Sequence, residues 1–186
     1  MSRFKVTGTH LEGLKIVERN SIGDSRGFLS RLFCADELHS NGFVKTISQI
    51  NYSYTEAKAT VRGMHYQQQP YQEIKLVSCL RGSVYDVAVD LRPKSPTFLQ
   101  WFGIELSADN NKALAIPEGF AHGFQTLTDH CELLYCHSAP YAAEAERGVR
   151  PNDPKLKINW PLGIQLLSER DANHPILEDS FLGVSL

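Results

Sequence analysis

The sequence lacks the features that mark several common function classes. No apolar run approaches membrane-spanning length. The opening stretch from Met1 to Asn20 carries Arg3, Lys5, Glu12, Lys15 and Glu18 where a signal peptide would have an apolar core. Basic excess is missing too: 19 lysines and arginines face 21 acids, a formal net charge of −2. That argues against a general nucleic-acid or membrane-surface binder, and leaves room for a small anionic ligand held by a few placed arginines. Cysteine is sparse, and Cys34, Cys79, Cys131 and Cys136 form no C-x-x-C pair and no zinc-finger spacing. They read as small, buried, reduced side chains of a cytoplasmic protein. No dinucleotide-binding glycine fingerprint, internal repeat, low-complexity stretch or linker is present.

What remains is an ordinary globular composition, 42% hydrophobic and 22% charged over 186 residues, read as one domain over 1–186. Short strand-like runs are separated by glycine- or proline-bearing turns, which predicts an all-β sandwich or barrel. Ala35 to Ser40 predicts a helical turn or two closed by Asn41-Gly42, and Val44 to Ser53 a strand. Ile74 to Leu80 is a further strand. Val84 to Leu91 places Tyr85, Val87, Val89 and Leu91 on one face and Asp86 and Asp90 on the other, the pattern of a half-buried strand. Phe98 to Leu106 follows. Phe124 to Leu127 and Glu132 to Cys136 read as a hairpin across Thr128-Asp129-His130. Ser168 to Asp179 opens with a capping-type Ser-Glu-Arg-Asp and is stopped by Pro175.

Arg62-Gly63-Met64-His65-Tyr66-Gln67 concentrates a cation, a base and a phenol. Regular alternation would send Arg62 and His65 to opposite faces, so they serve one pocket only if the strand bends, which Gly63 permits. His65, Glu73 and Pro117-x-Gly119-x-x-His122 form the skeleton of a cupin. A metal-binding cupin has a second histidine where Gln67 stands, and Gln67 is a poor ligand, so the ligand count favours a metal-free barrel in which His65 is free to act as a base. His122, set among Phe120 and Phe124, admits two readings, a satisfied core histidine or a ligand contact. His10, His39, His130, His137 and His174 read as solvated surface.

A wider set of motifs appears in order: Asp24-x-Arg26-Gly27, Gln49-x-Asn51, the central hexapeptide, Lys75-Leu76-Val77, Asp86 to Arg92, Ser95-Pro96-Thr97, Pro117 to Phe124, Asn152-Asp153-Pro154, Ile158-x-Trp160-Pro161 and Leu167-Ser168-x-x-Asp171. Over nearly its full length the chain resembles the dTDP-4-dehydrorhamnose 3,5-epimerase family of nucleotide-sugar epimerases. The resemblance implies a cupin jelly-roll barrel with a few short helices, a homodimer, no cofactor and no metal. It also implies inversion of the sugar carbons beside a ketone, at positions 3 and 5 of a 4-keto-6-deoxy sugar.

By the same resemblance His65 is the base, Asp171 its supporting carboxylate, Tyr135 the acid on the opposite face, and Lys75 the stabiliser of the enolate oxygen. Arg26, Gln49, Asn51, Arg62, His122, Glu146 and Arg170 fall on substrate-binding positions, and Tyr141 where an aromatic ring stacks on the base. The chemistry needs such a set, because one residue serving both faces returns the proton where it came from, and histidine exchanges protons near neutral pH. Residue by residue, each has a plain structural alternative: Arg26 and Arg62 as ion pairs, Lys75 as a surface charge, Asp171 as a turn cap, Tyr135 as a core aromatic. Only the joint order of motifs overturns these.

The chain also departs from the pattern. Arg31 stands near the base-recognition site where rhamnose-pathway enzymes carry glutamate, and Cys136 replaces a lysine after Tyr135. The stretches His137 to Tyr141 and Gly148 to Pro151 differ as well. Reaction type is therefore more firmly indicated than substrate. Alternatives are a cytidine-linked sugar, inversion at one carbon only, a metal-dependent cupin, and a non-catalytic sugar-nucleotide binder.

Overall fold

The central strands are packed on both faces, and this sets the architecture. The structure, a computed structural model, describes residues 2–185. In chain order the strands are β1 (Phe4–Gly8), β2 (Lys15–Arg19), β3 (Ile22–Asp24), β4 (Gly27–Leu29), β5 (Gln49–Thr55), β6 (Val61–Gln67), β7 (Lys75–Arg81) and β8 (Ser83–Asp90). They continue as β9 (Trp101–Ser107), β10 (Lys112–Ile116), β11 (Phe120–Thr126), β12 (Cys131–His137) and β13 (Glu146–Gly148). Two short helices, α1 (Ala35–His39) and α2 (Glu169–Ala172), complete the set. The fold is the all-β jelly-roll barrel expected.

One antiparallel sheet runs β1-β2-β10-β7-β12-β5 and a second runs β13-β6-β11-β8-β9. Their facing sides share the main core, in which Val77, Cys79, Leu114 and Leu133 of the first sheet meet Val84, Ala88, Leu106 and Phe124 of the second. On the back of the first sheet, Leu76, Ala113 and Cys136 pack with Leu38 of α1 and with Phe43. Gly42, at φ +101°, turns the chain after α1 so that the Phe43 N–H reaches the Leu38 carbonyl. On the back of the second sheet, Met64, Val87, Val89 and Ala121 are covered by the C-terminal stretch through Leu156, Leu177 and Val184.

That covering corrects the reading of Val84 to Leu91 as half-buried. Its apolar face lies under the C-terminal stretch, while Asp86 and Asp90 on the other face are completely buried. Each buried acid has dedicated partners: Asp86 holds His122, and Asp90 accepts from Arg92, Ser95 and Thr97. The hairpin expected across Thr128 to His130 is also corrected. β11 pairs with β6 and β8, and β12 with β5 and β7, so this turn carries the chain from one sheet to the other. A short turn serves a hairpin and a barrel crossover equally, and alternation along a strand does not reveal its partner. Strand β5 starts at Gln49 rather than Val44, and β9 at Trp101 rather than Phe98. All four cysteines are free, and all but the half-buried Cys34 are buried.

Candidate active site

Between the two sheets opens a cleft of about 910 Å³. The first sheet supplies Gln49, Asn51 and Ser53 from β5, Lys75 from β7, and Tyr135 and His137 from β12. The second supplies Arg62 and His65 from β6 and His122 from β11, while Tyr141, Glu146, Arg170 and Asp171 complete the rim.

The bend that β6 needs is a bulge. His122 stands opposite His65 and Phe124 opposite Arg62, so three residue steps on β6 match two on β11. The odd spacing then brings Arg62 and His65 to one cleft. The crossing requires two glycines: a Cβ on Gly63, whose φ is +128°, would lie 2.6 Å from the Gly123 Cα.

His65 Nε2 lies 2.7 Å from Asp171 Oδ1, and the Gly63 N–H donates to Oδ2 at 3.1 Å. Asp171 is delivered by α2, where the Ser168 hydroxyl accepts from the Asp171 N–H and caps the helix. So Ser168 is the cap, and the Asp171 carboxylate is free for His65. Burial pushes the Asp171 carboxyl up, but the bonds from His65 and Gly63 and the charges of His65 and Arg170 outweigh it and hold it down to about 2. The same Nε2 also lies 3.1 Å from Arg170 Nη2, so the imidazole is held at one nitrogen between the carboxylate and a guanidinium.

On the other wall the Tyr135 hydroxyl lies 3.2 Å from Ser53 Oγ. Burial raises the phenol well above its ordinary range; the Ser53 bond and Arg62 only partly oppose this. Tyr135 is thus held as a neutral acid at physiological pH. Its ring stacks on His137 at 5.9 Å and meets His122 edge-on at 6.3 Å. Lys75 is largely buried, and its ammonium lies 3.1 Å from Glu73 Oε1.

Arg62 donates through Nε to Thr55 Oγ1 and through Nη2 to the Tyr54 carbonyl; among the described residues no carboxylate pairs with it. At the rim, Glu146 accepts from the Tyr141 hydroxyl at 2.9 Å and from Arg170 Nη1 at 2.8 Å. Gln49 bridges the Asn51 side chain and the Tyr141 N–H.

Arg26 and Arg31 are not in this cleft. Arg26 sits on the turn of the separate β3-β4 hairpin, 88% exposed and paired with Asp24, and Arg31 pairs with Glu37. Two histidines read as surface are not: His137 lines the cleft and bonds Glu73, and His174 is half-buried with Nε2 3.6 Å from Asp171 Oδ1. The signal for His137 was present, since it lies two residues after Tyr135 and so shares its strand face. For His174 the signal was its place three residues after Asp171. His10, His39 and His130 are exposed.

Gln67 is buried and clamps the chain, donating to the Tyr71 and Pro140 carbonyls and accepting from the Ala142 N–H. His122 is committed to Asp86, with Nε2 2.9 Å from Oδ2, and Glu73 to Lys75 and His137. The cupin ligand positions are therefore each held by other partners. Among the described residues, one different trio, His65, Asp171 and His174, places possible ligand atoms within 4.8 Å of one another.

A family model described as dTDP-4-dehydrorhamnose 3,5-epimerase matches residues 8–179. The dTDP-4-dehydrorhamnose 3,5-epimerase of Sinorhizobium fredii strain NGR234 is 41% identical over 165 residues, 88% of this chain and 85% of that protein. The crystal structure of a dTDP-6-deoxy-D-glucose-3,5-epimerase from Legionella pneumophila, in complex with dTDP-4-keto-L-rhamnose, superposes with a TM-score of 0.91 at 38% identity. It covers 98% of this chain and 99% of its own. A 3'-monoepimerase from Streptomyces bikiniensis, in complex with dTDP-quinovose, superposes with a TM-score of 0.83 at 35% identity, over 90% of this chain and 85% of its own.

Proposed function

The chain belongs to the dTDP-4-dehydrorhamnose 3,5-epimerase family, and from that membership we propose how its cleft performs the reaction. The protein is an isomerase that epimerises a 4-keto-6-deoxy nucleotide sugar of the dTDP-4-dehydrorhamnose type. His65 takes the proton from the carbon beside the ketone, and Asp171 holds the imidazole in place and balances the charge it gains. The electron pair moves onto the keto oxygen, where the Lys75 ammonium stabilises it. Tyr135 then gives a proton from the opposite side, leaving the carbon inverted.

One observation carries this reading. His65 stands on one sheet, with the carboxylate that α2 brings to it, and the protonated Tyr135 on the other, both lining a single cleft. A positioned base contributes roughly 10²–10⁴-fold, and a cation on a developing oxyanion about 10²–10³-fold. The chemistry is proton transfer alone, so it calls for no redox cofactor.

Arg62, Gln49, Asn51, His122, Glu146 and Arg170 bind the sugar and diphosphate in this proposal, and Tyr141 stacks on the nucleobase. Arginine forks match phosphate oxygens. Arg26 and Arg31 reach a substrate only in a homodimer. The β3-β4 hairpin supports that arrangement, since it stands outside both large sheets and exposes Ile22, Phe28 and Leu29 around Arg26. No helix is long and apolar enough to cross a membrane among the described residues. A single epimerase domain over 1–186 acting in the cytoplasm completes the proposal.

Proton NMR in deuterated buffer with dTDP-4-dehydro-6-deoxyglucose tests the reading. Deuterium is expected at carbons 3 and 5, and His65→Ala is expected to abolish its entry in a folded protein. Full exchange in that variant removes His65 as the base, and exchange at one carbon identifies a mono-epimerase. A cytidine-linked substrate run in parallel decides the nucleobase.

A further inference from the structure

Beside the proposed proton-transfer residues lies a buried trio that the mechanism above does not use in full. Glu73, largely buried just before β7, divides its carboxylate: Oε1 lies 3.1 Å from Lys75 Nζ and Oε2 lies 2.7 Å from His137 Nδ1. His137 and Lys75 are register partners on β12 and β7, so the sheet itself sets the two donors side by side. The His137 ring stacks on Tyr135, and its Nε2 lies 3.5 Å from the Asn51 amide nitrogen. Burial pushes the Glu73 carboxyl up, but the Lys75 charge and the His137 bond outweigh it, so the group stays ionised.

An ionised carboxylate beside Lys75 poses a difficulty for an oxyanion stabiliser. A buried ammonium closed fully onto a carboxylate is a neutral pair, with little field left for a third group. The observed carboxylate is shared: one oxygen pairs with Lys75 at 3.1 Å, and the other lies 2.7 Å from His137. We infer that His137 is a positioning residue for Lys75, engaging one oxygen of Glu73 so that this anion neutralises only in part the ammonium that faces the keto oxygen. The inference rests on the role of Lys75 in the proposed function. His137 itself moves no proton to or from the sugar in this scheme.

The distinguishing test is suppression. Loss of His137 is harmful here only while Glu73 is an anion, so removing that charge should restore what the loss of His137 took away. Deuterium incorporation into the sugar is measured as kcat and KM for the wild type, His137→Leu, His137→Gln and the double variant His137→Leu with Glu73→Gln. His137→Leu is expected to lower kcat roughly ten- to hundredfold with KM changed by less than about threefold, the signature of a contact that matters at the transition state. His137→Gln, whose amide can still donate to Glu73, is expected to recover most of that loss. The double variant is expected to be about tenfold faster than His137→Leu alone, a non-additivity that only coupled groups show.

If His137→Leu fails to fold, His137→Asn, whose shorter amide does not span to Glu73, replaces it in both single and double form. A kcat within twofold of wild type in the single variant overturns the inference. So does a double variant no faster than the single one. A wild type that exchanges no deuterium overturns this inference together with the proposed function, whereas an active wild type without suppression overturns this inference alone.

Discussion

His65 and Asp171 are 106 positions apart in the chain and 2.7 Å apart in the fold. The same carboxylate takes the N–H of Gly63 with its second oxygen. One acid therefore fixes both the imidazole and the bulged backbone that presents it, which ties catalytic geometry to strand shape.

Asp171→Asn should keep the fold and lose most of the activity. The amide still fills the site, but it offers no charge to an imidazolium and accepts with one atom only. A fall in kcat of roughly 10²-fold or more, with KM little altered, is expected in the deuterium-exchange assay.

Acid stability should carry the mark of the same residue. The Asp171 carboxyl is held down to about 2 from an ordinary value of 3.8. A depressed carboxyl stabilises the folded state above its unfolded value, and that contribution fades as pH falls through about 4 towards 2. It is worth about 2 kcal/mol. Urea unfolding at pH 6 and pH 3 should show a smaller loss on acidification for Asp171→Asn than for the wild type, by about 1 kcal/mol, because at pH 3 only about half of the contribution has gone.

Tyr135→Phe separates proton removal from proton return. The phenol is pushed upward by burial, so it stays protonated through neutral pH and contributes no ionisation of its own to the rate between pH 6 and 9. Removing its hydroxyl should cost roughly 10²–10⁴-fold in inversion. Carbon–hydrogen exchange should fall less than inversion, because His65 can still take and return a proton on its own face. Equal losses of exchange and inversion would contradict the division of labour between the two walls.

The close crossing at Gly63 and Gly123 predicts a backbone effect. A Cβ on Gly123 would meet the Met64 sulfur at 2.6 Å and the Arg62 carbonyl oxygen at 2.7 Å. Gly123→Ala is expected to cost about 1–3 kcal/mol by overpacking, read as a lowered melting temperature. Activity should fall further than stability alone explains, since the displaced strand carries Arg62 and His65.

The β3-β4 hairpin should matter through a second copy of the chain. Phe28 and Leu29 are 73% and 75% exposed in the isolated protomer. In the proposed homodimer, Phe28→Glu together with Leu29→Glu should yield monomer in sedimentation velocity and raise KM. An unchanged sedimentation profile would place the dimer interface elsewhere or argue against a dimer.

Much of this was legible in residue types and spacing. The strand Ile74 to Leu80 was legible because Ile74, Leu76 and Leu80 recur on one face. The cap Ser168 and the turn at Asn41-Gly42 were legible because helix ends have local chemistry. Position relative to other strands was not. Asp86 looks like the wet side of a strand until His122, 36 residues later, is brought against it. His137 looks like surface until Glu73 and Lys75 are folded beneath it.

Sequence alone determined the all-β class and, through the ordered motifs, the family and the type of chemistry, because periodicity, capping and turn preferences act over a few residues. Tertiary structure decided which sheet each strand joins, that the turn after β11 crosses the barrel, and that Arg62 and His65 face one cleft. It also brought Asp171 to His65 and left Arg26 and Arg31 outside the cleft. These depend on packing between segments far apart in the chain, and on one bulged crossing of two glycines that no local preference specifies.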